Sequence, residues 1–327
     1  MLITNIKGTL KSGKEQEGFY MQPYLVSNLL GIKDYLAKDW DVVGIFSGHG
    51  LVRVGKSTIC FKVASFVAWL MAGGKLDMEL IEKDGKKVWQ INKMENPTKE
   101  LHWNLEENVV FTADDLRNRA HDLYNKYWKG QIIVYDEGRE GLDAKRAMEN
   151  LNKIMEDFFQ ECGFMGHIIF IVLPNFFKLH EDYAVSRSIF LIDAFRNKKK
   201  QRGFFNFYDE KQKEWLYFLG KKRIGITFKY EAASESFWGK FTSWFPFDRT
   251  QYNKIKEEAL KKRKKSRREV EWKRQRDALI YVLKTKMRLS AEEMSKLLEK
   301  ECDVLVSVPA IEHSMEEFGH KVINTAE

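Results

Sequence analysis

The eight residues Gly50-Leu-Val-Arg-Val-Gly55-Lys56-Ser57 constrain this chain more than any other stretch. They fit the pattern G-x-x-x-x-G-K-[ST] in full. Glycine at both ends lets the backbone curl until successive N–H groups point inward at an anion. Ahead of it, Asp41–Phe46 (DVVGIF) reads as a buried strand entering a Ser-Gly-His-Gly turn. Behind it, Ser57–Met71 runs without Gly or Pro and reads as a helix stopped by Gly73-Gly74. A strand, a glycine turn and a helix aim the positive end of a helix dipole at phosphate. The expected ligands are ATP and Mg²⁺, contacted by Gly50, Arg53, Val54, Gly55, Lys56, Ser57 and Thr58. In this pattern Lys56 reaches the β- and γ-phosphates and Ser57 places its hydroxyl on the metal. Arg53 either contacts nucleotide or projects from the loop. A fortuitous glycine turn is the bland alternative, and the flanking strand and helix argue against it.

A second element follows downstream. Gln131-Ile-Ile-Val-Tyr-Asp136-Glu137 is an apolar strand that delivers carboxylates to a sheet's C-terminal edge, where open α/β sheets bind ligands. Asp136 is placed to hold Mg²⁺ through a bridging water, and Glu137 to orient and polarise an attacking water. An adjacent Asp-Glu pair implies hydrolysis and not nucleotide sensing alone. His167–Leu173 (HIIFIVL) ends at Pro174-Asn175, and Asn175 is a candidate γ-phosphate sensor or a local cap. Arg187 and Arg196 flank the next strand and are candidates for a transition-state arginine given in trans, with Arg139 a third. The histidines, His49 and His180 among them, lack metal spacing and receive no role.

Near-continuous apolar strands alternate with helices: Asn108–Thr112, Gln131–Tyr135, His167–Leu173 and Ser188–Asp193, with helices over Ala113–Trp128 and Leu142–Cys162. That alternation predicts an α/β, mostly parallel sheet with helices on both faces. Val88–Asn92 is expected as a strand in an insertion. Gly203–Tyr208 and Trp215–Leu219 are expected as a β-hairpin around Asp209-Glu210. Residues 1–40 form a polar start followed by an amphipathic helix over Leu25–Trp40. The expected divisions are an N-terminal extension (1–40), a P-loop core (41–230), an aromatic and basic linker (231–276) and a helical domain (277–327).

The Arg-Val-Gly-Lys-Ser loop, the Ile-Ile-Val-Tyr-Asp-Glu strand, a long helix and a strand ending in a polar sensor resemble the FtsK–HerA superfamily. The likeness spans about residues 40–210 and is closest to its small phage, plasmid and zonular-occludens-toxin-like members. It implies a RecA/ASCE-like P-loop NTPase with an additional strand, a catalytic glutamate and an oligomer, often a hexameric ring, that moves DNA. By motif, Lys56 and Ser57 match the phosphate and metal residues, and Asp136 and Glu137 the metal and water-activating pair. That family's sensor is often Gln where this chain has Asn175, and its toxin-like members usually carry a transmembrane segment that this sequence lacks. An AAA+-type replication initiator or loader, where Asn is a usual sensor, stays open beside it, as does a regulatory nucleotide switch with a protein partner.

Beyond the core, Phe237–Phe247 (FWGKFTSWFPF) is an aromatic cluster whose readings are packing, partner docking or a membrane interface, with packing preferred. Arg249–Arg276 carries thirteen Lys and Arg against four Glu, which alone accounts for the chain's net charge of +8. Lys261, Lys262, Arg263, Lys264, Lys265, Arg267 and Arg268 are the candidate phosphate-backbone contacts to DNA. A solvated linker is the alternative. Arg196–Arg202 (RNKKKQR) is a second basic patch. Three short helices are expected at Asp277–Met287, Ala291–Lys300 and Val308–Gly319, resembling a helix-turn-helix, with Ser290 and Glu293 as a capping box. Glu312, Glu316 and Glu317 on the last of these favour a protein partner unless Ser307, His313 and Ser314 face bases. Cys60, Cys162 and Cys302 have neither zinc nor disulfide spacing. With no apolar leader and no apolar run of spanning length, the expectation is a cytoplasmic protein without an integral membrane segment.

Overall fold

A computed structural model describes residues 2–38, 40, 42–49, 51, 53–136, 163–222, 229–302 and 306–314. They form two units, Met1–Glu257 and Glu258–Glu327. The first unit opens with β1 (Leu2–Thr9), β2 (Glu15–Tyr20), α1 (Pro23–Leu30) and α2 (Ile32–Ala37). Next come β3 (Val42–Ser47), α3 (Lys56–Met71), β4 (Lys75–Lys83) and β5 (Lys86–Glu95). They are followed by α4 (Leu105–Asn108), β6 (Val109–Val110), α5 (Ala113–Tyr127) and β7 (Ile132–Asp136). The rest is β8 (Ile168–Val172), β9 (Ser188–Phe195), β10 (Phe204–Tyr208), α6 (Glu210–Lys222) and β11 (Phe237–Lys240). A long helix, α7, starts at Arg249 and ends at Met287, and α8 spans Ala291–Cys302.

The main sheet has the order β6-β7-β8-β3-β9-β10-β11. From β6 to β9 all neighbours are parallel, while β10 and β11 add antiparallel strands at one edge. Every residue of β3, β7 and β8 is buried, as expected for apolar runs without alternation that are covered on both faces. One face presents Val43, Ile45, Ile133, Tyr135, Ile169 and Ile171 to α5 (Leu116, Leu123) and α6 (Leu216, Tyr217). The alternate residues form an aromatic file, Phe170–Phe46–Phe190–Phe207–Phe237, with successive ring centroids 4.6–5.9 Å apart. α3 packs against β7 and β8, and its residues Ile59 to Leu70 are buried without a break. A helix enclosed on all sides needs no amphipathic stripe.

Residues 2–37 form a β1–β2 hairpin followed by two helices broken at Gly31, in place of one helix over Leu25–Trp40. Gln22 caps α1 by accepting the Leu25 N–H at 2.9 Å, ahead of Pro23. The hairpin is tied to the aromatic segment by paired backbone hydrogen bonds between Thr9 and Phe245, 2.7 and 2.9 Å long. Trp244, fully buried, lies against Phe19 at 4.3 Å between ring centroids. The segment Phe237–Phe247 therefore packs within the first unit. Val88–Asn92 lies in β5, which among the described residues pairs with β4 alone, as a separate two-stranded ribbon.

Trp215–Leu219 is helical, which corrects the hairpin expectation. Asp209 Oδ1 accepts the Gln212 N–H at 2.9 Å and starts α6. Leu216 and Tyr217 turn inward while Trp215 and Leu219 face solvent, a helical period that a five-residue window hides. β10 pairs instead with β11, Phe207 opposite Phe237. The expected helix Leu142–Cys162 lies outside the described residues.

In the second unit Ile280, Ala291, Met294 and Ile311 are buried together, with Leu283, Leu289, Val306 and Val308 against them. Asp277–Met287 continues α7 and is not a separate helix. Residues 308–314 are helical. The capping box forms: Glu293 N–H donates to Ser290 Oγ (3.2 Å) and Ser290 N–H to Glu293 Oε2 (2.7 Å). Among the described residues no helix is long and apolar enough to cross a membrane.

Candidate functional site

The strand register brings the chemistry to one edge. Phe46 of β3 and Asp136 of β7 both pair with Val172 of β8, so the three strands end level. Ser47 pairs with Asp193 of β9. β8 thus stands between the strand that feeds the glycine loop and the strand that carries the acid.

The described residues between Gly48 and Gly55 turn sharply. His49, Arg53 and Gly55 all have left-handed backbones, with φ of +50°, +57° and +108°. Gly55 bears the largest of these without a side-chain penalty and leads directly into α3. A Cβ on Gly48 would lie 2.7 Å from Val54 Cγ2 and 2.9 Å from Lys56 Cδ, so that position is closed to a side chain. Val54 is fully buried and pins the loop, while Arg53 is exposed and projects from it. Lys56 Nζ donates to the Leu51 carbonyl at 2.9 Å, folded back across the loop. Ile59 N–H bonds to the Gly55 carbonyl at 3.0 Å, leaving the first-turn amides of α3 at its entrance. Ser57 and Thr58 are half-buried there. Gly50 lies outside the described residues.

Asp136 is buried, and both of its oxygens are engaged. Ser57 Oγ donates to Oδ1 at 3.1 Å. Lys256 Nζ donates to Oδ2 at 3.0 Å, and the Tyr252 hydroxyl donates to the same oxygen. Burial, with the Asp136 charge beside it, raises the Tyr252 phenol well above its usual value, so it keeps its proton. Cys60, buried one turn beyond Ser57, is likewise raised by burial and by Asp136 and is no nucleophile. Glu137 and Arg139 lie outside the described residues.

A buried pair supports the loop from the other side. Asp193 has no solvent exposure. It accepts hydrogen bonds from the Ser47 hydroxyl and from the His49 N–H (3.1 Å), and its second oxygen pairs with His49 Nδ1. The His49 ring stacks on Tyr230 at 4.3 Å. Burial lowers the His49 pKa, but the hydrogen bond and charge of Asp193 outweigh it and the net shift is upward. His49, given no role from sequence, is the residue that locks the loop's base to β9.

The remaining candidates separate. Asn175 follows β8 at the same edge, and its Oδ1 accepts the Phe177 N–H at 3.0 Å, a local cap. Arg196 follows β9 at this edge as well. Arg187 precedes β9 and lies at the opposite edge, a strand length of roughly 25 Å away. There it lines a cleft of about 700 Å³ with Tyr35, Trp40, Glu210 and Glu214. Within its own chain Arg187 is therefore not part of the site. Lys261 is exposed on α7, the helix that carries Lys262, Arg263, Lys264, Lys265, Arg267 and Arg268. Lys198, Lys199, Lys200 and Arg202 are exposed on the β9–β10 turn. Ser314 is buried and donates to Asp277 Oδ1 at 2.8 Å, so it does not face a base.

The donor set fits a metal–triphosphate. One hydroxyl and one carboxylate 3.1 Å apart suit Mg²⁺, which keeps several waters and takes the rest of its shell from phosphate. No family model, curated protein or solved structure matches the chain.

Proposed function

We propose that this chain is a P-loop ATPase of the additional-strand class, of RecA/ASCE-like fold, that acts on DNA as an oligomer. The observation that carries the proposal is the approach of Ser57 Oγ, in the first turn of α3, to Asp136 Oδ1 at 3.1 Å, with β8 interposed between β7 and the strand β3 that feeds the glycine loop. In this reading the loop amides and Lys56 hold the β- and γ-phosphates, and Ser57 and Asp136 hold the metal. Bound Mg²⁺ supplies charge neutralisation across those phosphates. Glu137, next after the metal carboxylate, takes the proton of the attacking water. Asp193 and His49 hold the base of the glycine loop against β9, so little reorganisation of that backbone is left for binding.

The DNA part rests on charge. The basic helix and the Lys198–Arg202 turn offer cations for phosphate backbone. Steady-state ATP hydrolysis with and without long duplex DNA tests it. Several-fold stimulation that fades with added salt supports a translocase or packaging motor. Turnover indifferent to DNA removes the motor reading and leaves the ATPase. The initiator or loader reading draws on the second unit, a small helical module with a formed capping box. Tight binding of one short duplex sequence, with slow turnover, would favour it.

A further inference from the structure

Asp136 is held by a part of the chain that no nucleotide motif includes. α7 begins where Asp248 Oδ1 accepts the Gln251 N–H at 2.7 Å. Tyr252 and Lys256 lie four residues apart on it and therefore share a face. Tyr252 is 8% exposed and packs edge-on against Phe61 of α3 and Phe245, at 5.6 and 5.2 Å between centroids. Lys256 Nζ bonds the Tyr252 oxygen at 2.8 Å and the Asp136 carboxylate at 3.0 Å. It also sits 5.7 Å from the Phe111 ring centroid. One carboxylate oxygen thus takes a phenol and an ammonium at once, while Ser57 takes the other.

We propose that Tyr252 and Lys256 are positioning residues of the nucleotide site, which hold Asp136 while no metal is bound and give it up when Mg²⁺–nucleotide binds. The inference rests on the nucleotide-site reading above. The reason is electrostatic exclusion. An ammonium and a divalent cation repel each other and cannot both occupy the inner surface of one buried carboxylate. Lys256 stands in for the metal's charge, and the phenol keeps the carboxylate turned toward Ser57. Metal binding must displace the ammonium, which frees the first turns of α7. Nucleotide state is thereby read by the helix that also carries the basic run.

The test uses the full chain and a fluorescent ATP analogue titrated with and without Mg²⁺. Lys256→Met removes the competing cation and leaves the metal ligands in place. It should tighten Mg²⁺-dependent nucleotide affinity about tenfold, the worth of one charge-assisted hydrogen bond, and leave Mg²⁺-free affinity unchanged. Lys256→Arg, which keeps the charge, should stay near wild type. Tyr252→Phe should give a smaller gain in the same direction. In wild type, Mg²⁺–nucleotide should speed amide hydrogen exchange over residues 250–257, and Lys256→Met should already exchange faster without ligand. Wild-type binding with unchanged or weakened Mg²⁺-dependent affinity in Lys256→Met overturns this inference alone. No nucleotide binding by wild type overturns the site reading and this inference together.

Discussion

Asp193→Asn isolates the buried carboxylate that anchors the glycine loop. The substitution preserves shape and removes charge, so packing around a fully buried position is barely disturbed. In wild type the carboxylate accepts from the Ser47 hydroxyl, the His49 amide and the His49 ring. A hydrogen bond to a charged group contributes about 1.5–3 kcal/mol, and a neutral one about 0.5–1.5. The ring pair is the one that depends on charge, so the expected loss is roughly 2 kcal/mol near pH 6. The pH dependence sharpens the expectation. His49 has a folded pKa above its unfolded value of about 6.5. Its contribution is therefore complete below about 6.5 and is lost as pH rises through the folded value. The gap between wild type and Asp193→Asn should be widest near pH 5.5 and should narrow toward pH 9. Urea unfolding across that range measures it, with nucleotide affinity recorded on the same samples. A gap that is constant with pH, or that widens toward pH 9, refutes the His49–Asp193 ion pair.

Three other expectations follow from the same geometry. Gly48→Ala leaves the sheet intact but pushes a methyl into Val54 and Lys56, so nucleotide affinity should fall at least about tenfold with little change in unfolding midpoint; an affinity near wild type contradicts the closed loop. Lys62 of α3 is buried with Thr242 Oγ1 and the Tyr20 carbonyl as its partners, and burial holds its pKa down to about 7. The charge costs stability in full below about 7 and less as pH rises toward 10.5. Lys62→Met should therefore stabilise by about 2 kcal/mol at pH 6, net of the lost hydrogen bonds, and by little at pH 10; denaturant melts that show no such trend contradict it. Trp244→Ala removes the fully buried ring packed against Phe19 and should cost about 3–5 kcal/mol by the same assay, and a loss below about 1 kcal/mol contradicts its place in the core.

Much of this architecture was legible in apolar runs. VVGIF, IIVY and HIIFIVL are enclosed on both sides, and SIFLID is so except at Ile189; such strands show themselves by the absence of alternation. Their spacing also singled out Lys56, Ser57 and Asp136, of which the fold brings Ser57 and Asp136 into contact, because glycine, lysine and carboxylate requirements are local to each loop. Trp215–Leu219 was misread because five residues contain little more than one helical turn, and the deciding signal was Asp209 as a cap. The β1–β2 hairpin was hidden because its partner, Phe245, is 236 residues from Thr9 and pairing at that distance leaves no local pattern. Asp193 carried a usable signal, a carboxylate closing an apolar strand just as Asp136 does. His49, Tyr252 and Lys256 carried none. A histidine in a glycine turn and a tyrosine in a basic helix are unremarkable until the fold sets them against Asp193 and Asp136.

The most direct test of the central claim is Mg²⁺-dependent phosphate release from ATP by the full chain, run beside Lys56→Ala and Glu137→Gln with nucleotide binding measured on each. The account predicts turnover by wild type and loss of nucleotide binding in Lys56→Ala. It predicts retained binding in Glu137→Gln, with turnover lower by about 10²–10⁴-fold. Wild-type protein that neither binds nor hydrolyses the nucleotide, or a Glu137→Gln variant that turns over like wild type, contradicts it.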